Sequence, residues 1–198
     1  MVANRGYQST GARTRLQLIE AASAILDEEG YPAFTVRRIA GKAGVKPQLL
    51  HYYFRSMEEL VVIVFQRSCA SYFQMHDEAL SSPRPLRALW KLNCDLPEAR
   101  RVLEYVALAK IYPALRAEMR AAGMRFRALQ IEAIETVCAQ RGITHPPMNA
   151  PALAALMSAV ARNIVIEGNV SMTAAHDDVR AFMDQVLAAY EPRQPVNP

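Results

Sequence analysis

The chain has 198 residues, 52% of them hydrophobic, which is enough to close a core and excludes a disordered protein. The net charge is +4, and all of that excess lies in residues 1–55, where eight basic side chains stand against four acidic ones. Such asymmetry suggests that this end meets a polyanion. No apolar run has the length of a membrane span, and the opening residues lack the apolar stretch of a secretion signal. The scattered Cys69, Cys94 and Cys138 suit thiols in a reducing compartment. The expectation is therefore a cytoplasmic protein with no membrane partner.

Helical periodicity runs through the whole chain, without strand-like alternation or an internal repeat. Leu18, Ile19, Ala22, Ile25 and Leu26 recur at helical spacing, and Gly30 stops that first helix. Thr35 caps a second helix whose apolar face is Val36, Ile39, Ala40 and Ala43. Gly44 is a turn residue, and Pro47 suits the first position of a third helix reaching about Phe54. Ser56-Met57-Glu58-Glu59 reads as a capping box, with Ser56 and Glu59 satisfying each other's amides. A long fourth helix follows to about Leu80. Ser81-Ser82-Pro83-Arg84-Pro85 breaks it.

Shorter helices are predicted over Leu86–Asn93 and from Pro97 to near Pro113. Leu115–Arg141 reads as one long helix closed by Gly142, with Gly123 a weak point inside it. An Ala-rich helix spans about 150–167. The last helix runs from about Thr173 to Tyr190, with the stripe Val179, Phe182, Met183, Val186, Leu187 and Tyr190. The fold class is all-α, with about nine helices. Residues 1–56 read as one small helical domain and residues 57–198 as a larger one.

The segment Thr35 to Phe54 reads as two short helices joined by the tight turn Ala43-Gly44-Val45. That arrangement leaves the N-terminal end of the second helix open to a DNA major groove. Several features recur here at fixed spacing: Glu29-Gly30-Tyr31, then Phe34 through Ala40, then Ala43-Gly44-Val45. Leu50-His51-Tyr52-Tyr53-Phe54 and Ser56-Met57-Glu58-Glu59-Leu60 complete the set. Together they resemble the DNA-binding domain of the TetR family of bacterial regulators, over about Thr14 to Leu60.

The resemblance implies a cytoplasmic, dimeric regulator, most often a repressor, that binds a palindromic double-stranded operator and is released by a small molecule. It implies phosphate contacts from Thr35, from Arg37 or Arg38, and from Tyr52 and Tyr53. It places Gln48, Leu49 and His51 where bases are read, with Lys46, Pro47 and Arg55 beside them. The chemistry agrees: glutamine pairs with adenine, an aliphatic group meets the thymine methyl, and lysine reaches guanine or phosphate. Arg5, Arg13 and Arg15 suit either a minor-groove arm or a plain basic tail.

This chain departs from the family pattern at four places. Lys46 stands where a capping serine is common, Pro47-Gln48 replace Lys-Gly, Leu49 replaces threonine, and Met57 replaces a lysine that often touches phosphate. These departures bear on the operator sequence, and they leave a second reading open: a helical ligand-binding adaptor that has lost DNA binding.

In the second domain, Trp90, Cys94, Tyr105, Tyr112 and Phe126 are the candidate ligand contacts, although helical cores need such residues anyway. Arg162, Asn163 and Glu167 interrupt an apolar helix, so they face either a dimer interface or a pocket. Residues about 150–190 are the expected homodimer surface, where small alanines permit close approach. The four histidines lie far apart, and His76 and His176 read as exposed helix positions. No metal, nucleotide or nucleophile motif is present, so the expectation is no catalytic residue, no metal, no cofactor and no enzyme.

Overall fold

A computed structural model describes the backbone of residues 3–95 and 98–192, and the side chains of 11–94 and 101–192. The described residues form helices and turns, with no strand among them. The helices are α1 (Ala3–Glu28), α2 (Val36–Lys42), α3 (Pro47–Tyr53), α4 (Met57–Leu80) and α5 (Pro85–Asp95). Then come α6 (Glu98–Ala109), α7 (Pro113–Arg141), α8 (Ala150–Asn169) and α9 (His176–Ala188), while a 3-10 turn, Tyr31–Ala33, links α1 to α2.

Two compact units emerge, one of residues 1–70 with 101–120, the other of 71–100 with 121–198. Helices α4 and α7 each give their first part to the first unit and the rest to the second.

In the first unit, α1 buries Leu18, Ile19, Ala22, Ile25 and Leu26. Ile39 and Ala40 of α2, Leu50 of α3, Phe54, and Leu60, Val61 and Val64 of α4 are also buried. Full burial of each Leu or Ile contributes about 1.5–3 kcal/mol. The segment that carries Arg5, Arg13 and Arg15, read from the sequence as either a minor-groove arm or a basic tail, is helical from Ala3 on. The Arg15 guanidinium lies 5.2 Å from the centre of the Phe54 ring, and the side chain of Arg5 lies outside the described residues.

Helix α6 is held to this unit by polar contacts. Arg101 forms a two-pronged ion pair with Asp27 and donates to Ser68 Oγ at 2.8 Å, while a Glu104 carboxylate oxygen accepts from the Tyr31 amide at 2.6 Å. The proposed start at Pro97 lies outside the described residues.

The second unit closes around Leu86, Leu89 and Trp90 of α5, Ile134 and Val137 of α7, Leu153, Met157 and Ile164 of α8, and Met183, Leu187 and Tyr190. Helices α5, α8 and α9 pack on one another. The Tyr190 hydroxyl donates to the Met148 carbonyl at 2.6 Å and accepts from the Met148 amide at 3.0 Å, which ties the end of α9 to the chain before α8. The buried Glu191 carboxylate accepts from the amides of Leu86 and Arg87 at 3.0 and 3.1 Å, capping α5 from a distant part of the sequence.

Several expectations need correction. The box at α4 is only half reciprocal: Ser56 Oγ accepts from the Glu59 amide at 3.1 Å, but Glu59 takes the Arg55 amide, at 2.7 Å, rather than that of Ser56. Helix α8 is long and apolar enough to cross a membrane, with a mean hydropathy of 1.3, although it carries Arg162 and Glu167 and supplies core residues. His76 is fully buried, and His176 is half-buried in a 3.0 Å contact with Glu167. Phe182 is 57% exposed, so the α9 stripe is wider than the core it faces.

Candidate nucleic-acid interface

The helix-turn-helix is built from local rules. Thr35 has an extended backbone, and its hydroxyl accepts from the Arg38 amide at 3.3 Å, so it caps α2. Helix α2 ends in a Schellman turn: Gly44 has φ 68°, its amide reaches the Gly41 carbonyl at 3.1 Å, and the Val45 amide reaches the Ala40 carbonyl at 3.0 Å. Only glycine holds that φ at no steric cost. Pro47 then opens α3 without losing a needed amide, and Lys46 makes no side-chain cap.

Helix α3 is anchored by Leu50 and, at its end, by Phe54, both buried. That spacing leaves Gln48, His51, Tyr52 and Arg55 exposed on the other side, with Leu49 and Tyr53 half-buried. Tyr52 is 74% exposed and meets Tyr53 edge to face at 5.0 Å between ring centres. An exposed aromatic anchored this way offers a hydroxyl to a partner while adding little to the core. Thr35, Arg37, Arg38, Lys46 and Pro47 are exposed as well.

The cations differ in availability. Arg38 pairs with Glu29 at 2.7 and 3.0 Å, and Lys42 with Glu28 at 2.6 Å. The hydrogen bond from Arg38 holds the Glu29 carboxyl below its ordinary range, and the same contact raises the Arg38 guanidinium. These exposed pairs fix α2 against the end of α1 more than they stabilise the fold. Among the described residues no ion pair engages Arg37, Lys46 or Arg55.

The ligand-contact candidates do not share one place. Trp90 and Cys94 are buried in the core of the second unit, and Phe126 stands beside Tyr72 and Phe73 in that unit. Tyr105 and Tyr112 belong to the first unit, where the Tyr105 hydroxyl meets Ser68 Oγ at 3.0 Å and its ring meets Phe65 edge to face. Burial pushes the Tyr105 hydroxyl up from its ordinary value. Arg162 and Asn163 are exposed on α8, and Glu167 is half-buried, held by Asn163 and His176. Sequence reasoning missed Tyr72, His76 and Asn93. A histidine at the same helical face as Tyr72, four residues on, was the available signal.

Residues 18–63, which contain this helix-turn-helix, match the model of the family "Bacterial regulatory proteins, tetR family". Over these residues the chain is similar to the tetR family. Over 48 residues the chain is 42% identical to the HTH-type transcriptional regulator BetI of Rhizobium meliloti (strain 1021), and over 63 residues it is 29% identical to the fatty acid metabolism regulator protein of Bacillus subtilis (strain 168). The matches cover 24% and 32% of this chain, and the same shares of those relatives' own lengths.

The fold likeness reaches further. A structure from Saccharomonospora viridis, described as a transcriptional regulator in complex with choline, superposes with a TM-score of 0.75. It is 19% identical and covers 88% of this chain and 95% of its own. The helical architecture beyond residues 18–63 is thus shared with a known structure at low sequence identity.

Proposed function

We propose that the protein is a dimeric transcriptional repressor that binds a palindromic operator and is released by a small-molecule effector. The observation that carries the reading is the outer side of α3, where Gln48, His51, Tyr52 and Arg55 stand exposed while Leu50 and Phe54 anchor the helix. Unpaired Arg37 and Lys46 flank it, as phosphate contacts require. Residues 1–56 form the DNA-reading domain in this proposal, and 57–198 serve ligand binding and dimerisation. The choline complex of the Saccharomonospora viridis protein supports a small-molecule role for the second part.

The dimer surface proposed is the outer side of α8 and α9. Ala155, Ala159, Arg162, Asn163, Ile166 and Phe182 are exposed there, and alanines let helices approach closely. Two-fold symmetry would set two α3 helices about 34–36 Å apart, one turn of duplex. The effector acts through α4, which both compact units share. Coupling of this kind is typically about 1–3 kcal/mol.

The test is selection from sheared genomic DNA by the purified protein at moderate salt. A palindromic site is expected, with affinity falling steeply as salt rises. Lys46→Ala and Arg55→Ala should each reduce the log–log salt slope by about 0.9, one released counterion per lost phosphate contact. No enriched site at any salt would replace this reading with the ligand-binding adaptor.

A further inference from the structure

The second unit contains buried hydrogen-bonding groups that the fold leaves unused. His76 on α4 is fully buried, and among the described residues neither ring nitrogen has a hydrogen-bond partner. Asn93 on α5 has a buried side-chain nitrogen, likewise without a partner among the described residues, while its oxygen accepts from the Tyr72 hydroxyl. The rings around them come from α4 and α7. Phe126 stacks on Phe73 at 3.9 Å, meets Tyr72 edge to face at 4.5 Å, and lies 6.3 Å from the His76 ring centre. Tyr72 and His76 ring centres are also 6.3 Å apart.

Native proteins pair nearly all buried polar groups, so an imidazole with two empty positions needs an explanation. Packing alone would be served by phenylalanine or leucine there. Two further orphans, Ser82 Oγ and Arg87 Nε, lie near the start of α5. Arg87 is six residues before Asn93, roughly 9 Å along the helix, so they form a separate matter. We propose that Tyr72, His76 and Asn93 form the polar end of an effector site. Its ligand is an uncharged small molecule with an apolar body and a carboxamide-like group that both accepts and donates hydrogen bonds. This rests on the effector-responsive reading above.

The donor and acceptor count selects that class. A neutral imidazole offers one N–H and one lone pair, and the Asn93 nitrogen offers N–H donors only. The Tyr72 proton is spent on Asn93, so its oxygen remains an acceptor. Burial holds His76 below its ordinary value, against the opposing pull of Asp77, which keeps the ring neutral. An anion would leave the acceptors unmatched. A cationic group, a donor only, would leave the N–H donors of Asn93 and the imidazole unmatched. Phe126, Phe73 and Tyr72 supply the apolar wall.

The probe is benzamide, with toluene, benzoate and benzyltrimethylammonium as apolar, anionic and cationic controls of similar size. In the full chain labelled with 15N-histidine, benzamide should shift one imidazole signal saturably, the signal that His76→Phe removes. Calorimetry should give benzamide at least tenfold tighter binding than each control. His76→Phe and Asn93→Leu should each weaken it tenfold or more, and His76→Gln, which keeps a donor and an acceptor, should retain part of it. Equal binding of benzamide and toluene, tighter binding of a charged control, survival of benzamide binding in both variants, or no binding at all would each overturn the site. Genomic DNA selection is read separately. Benzamide binding without an enriched operator keeps the site and removes the regulator reading; the reverse result does the opposite.

Discussion

His76 shows how a single residue can be invisible in sequence and decisive in structure. Its neighbours Asp77 and Glu78 are polar and suggest a solvated helix face, yet its ring faces Tyr72 and Phe126 and is fully buried. The pH dependence follows from that burial. Desolvation lowers the folded-state value of His76 below 6.5, so on acidification the unfolded chain takes the proton first. Where the unfolded state binds more protons, stability rises with pH. Stability should therefore fall as the pH drops through about 6.5 and stop responding to this group below its folded value. Urea unfolding between about pH 8 and pH 5 measures it, and His76→Phe should remove this component of the slope. An unchanged slope in the variant would mean that His76 binds its proton equally well in the folded and unfolded states. By contrast, Thr35, Gly44 and Pro47 were legible because each acts within about one turn of its own position: Thr35 caps α2, Gly44 turns the chain and Pro47 opens α3.

At the scale of helices, the sequence located most ends closely because ends obey local rules. Helix α4 stops at Leu80, and α7 closes at Gly142, whose φ is 65°. Gly123 sits inside α7 without breaking it, since no residue crowds it and one glycine costs only about 1 kcal/mol in a long helix. What escaped the reading were caps supplied over long distances. Glu58 accepts from the Ala114 amide at 2.7 Å at the start of α7, and Glu191 serves α5 in the same way. Nothing local to Pro85 announces that its helix needs a carboxylate about a hundred residues away.

The Glu191 clamp makes a quantitative statement about α5. Glu191→Leu would leave the Leu86 and Arg87 amides unpaired, one of them in a buried contact. Each such loss costs about 1–3 kcal/mol. Chemical denaturation should register a destabilisation of that order with an unchanged m-value, and Glu191→Gln should recover much of it through its remaining carbonyl. A variant as stable as the parent would place those amides in water.

For the whole molecule, the fold class was readable and the grouping of Tyr72, His76, Asn93 and Phe126 was not, for one physical reason. Helical periodicity repeats along each element, and it relates Tyr72 to His76 within α4, but no period relates residues of α4 to Asn93 on α5 or Phe126 on α7. Assembly lies between these cases. The outer side of α8 joins small alanines to Ile166, and nearby Phe182 of α9 is 57% exposed, a costly arrangement for a monomer to keep in water. Ala159 sits in the exposed row and has no role in the core, so Ala159→Arg tests the dimer without disturbing the fold. In the two-fold arrangement proposed, the same substitution enters the interface twice and sets two charges against each other. Light scattering should then report a monomer at micromolar concentration, with an unchanged circular dichroism spectrum. Operator affinity should fall by at least about a hundredfold, because one half-site contact loses the effective concentration supplied by the other. A monomeric variant that binds the operator as tightly as the parent would separate DNA recognition from dimerisation. A variant that stays dimeric would move the interface away from α8.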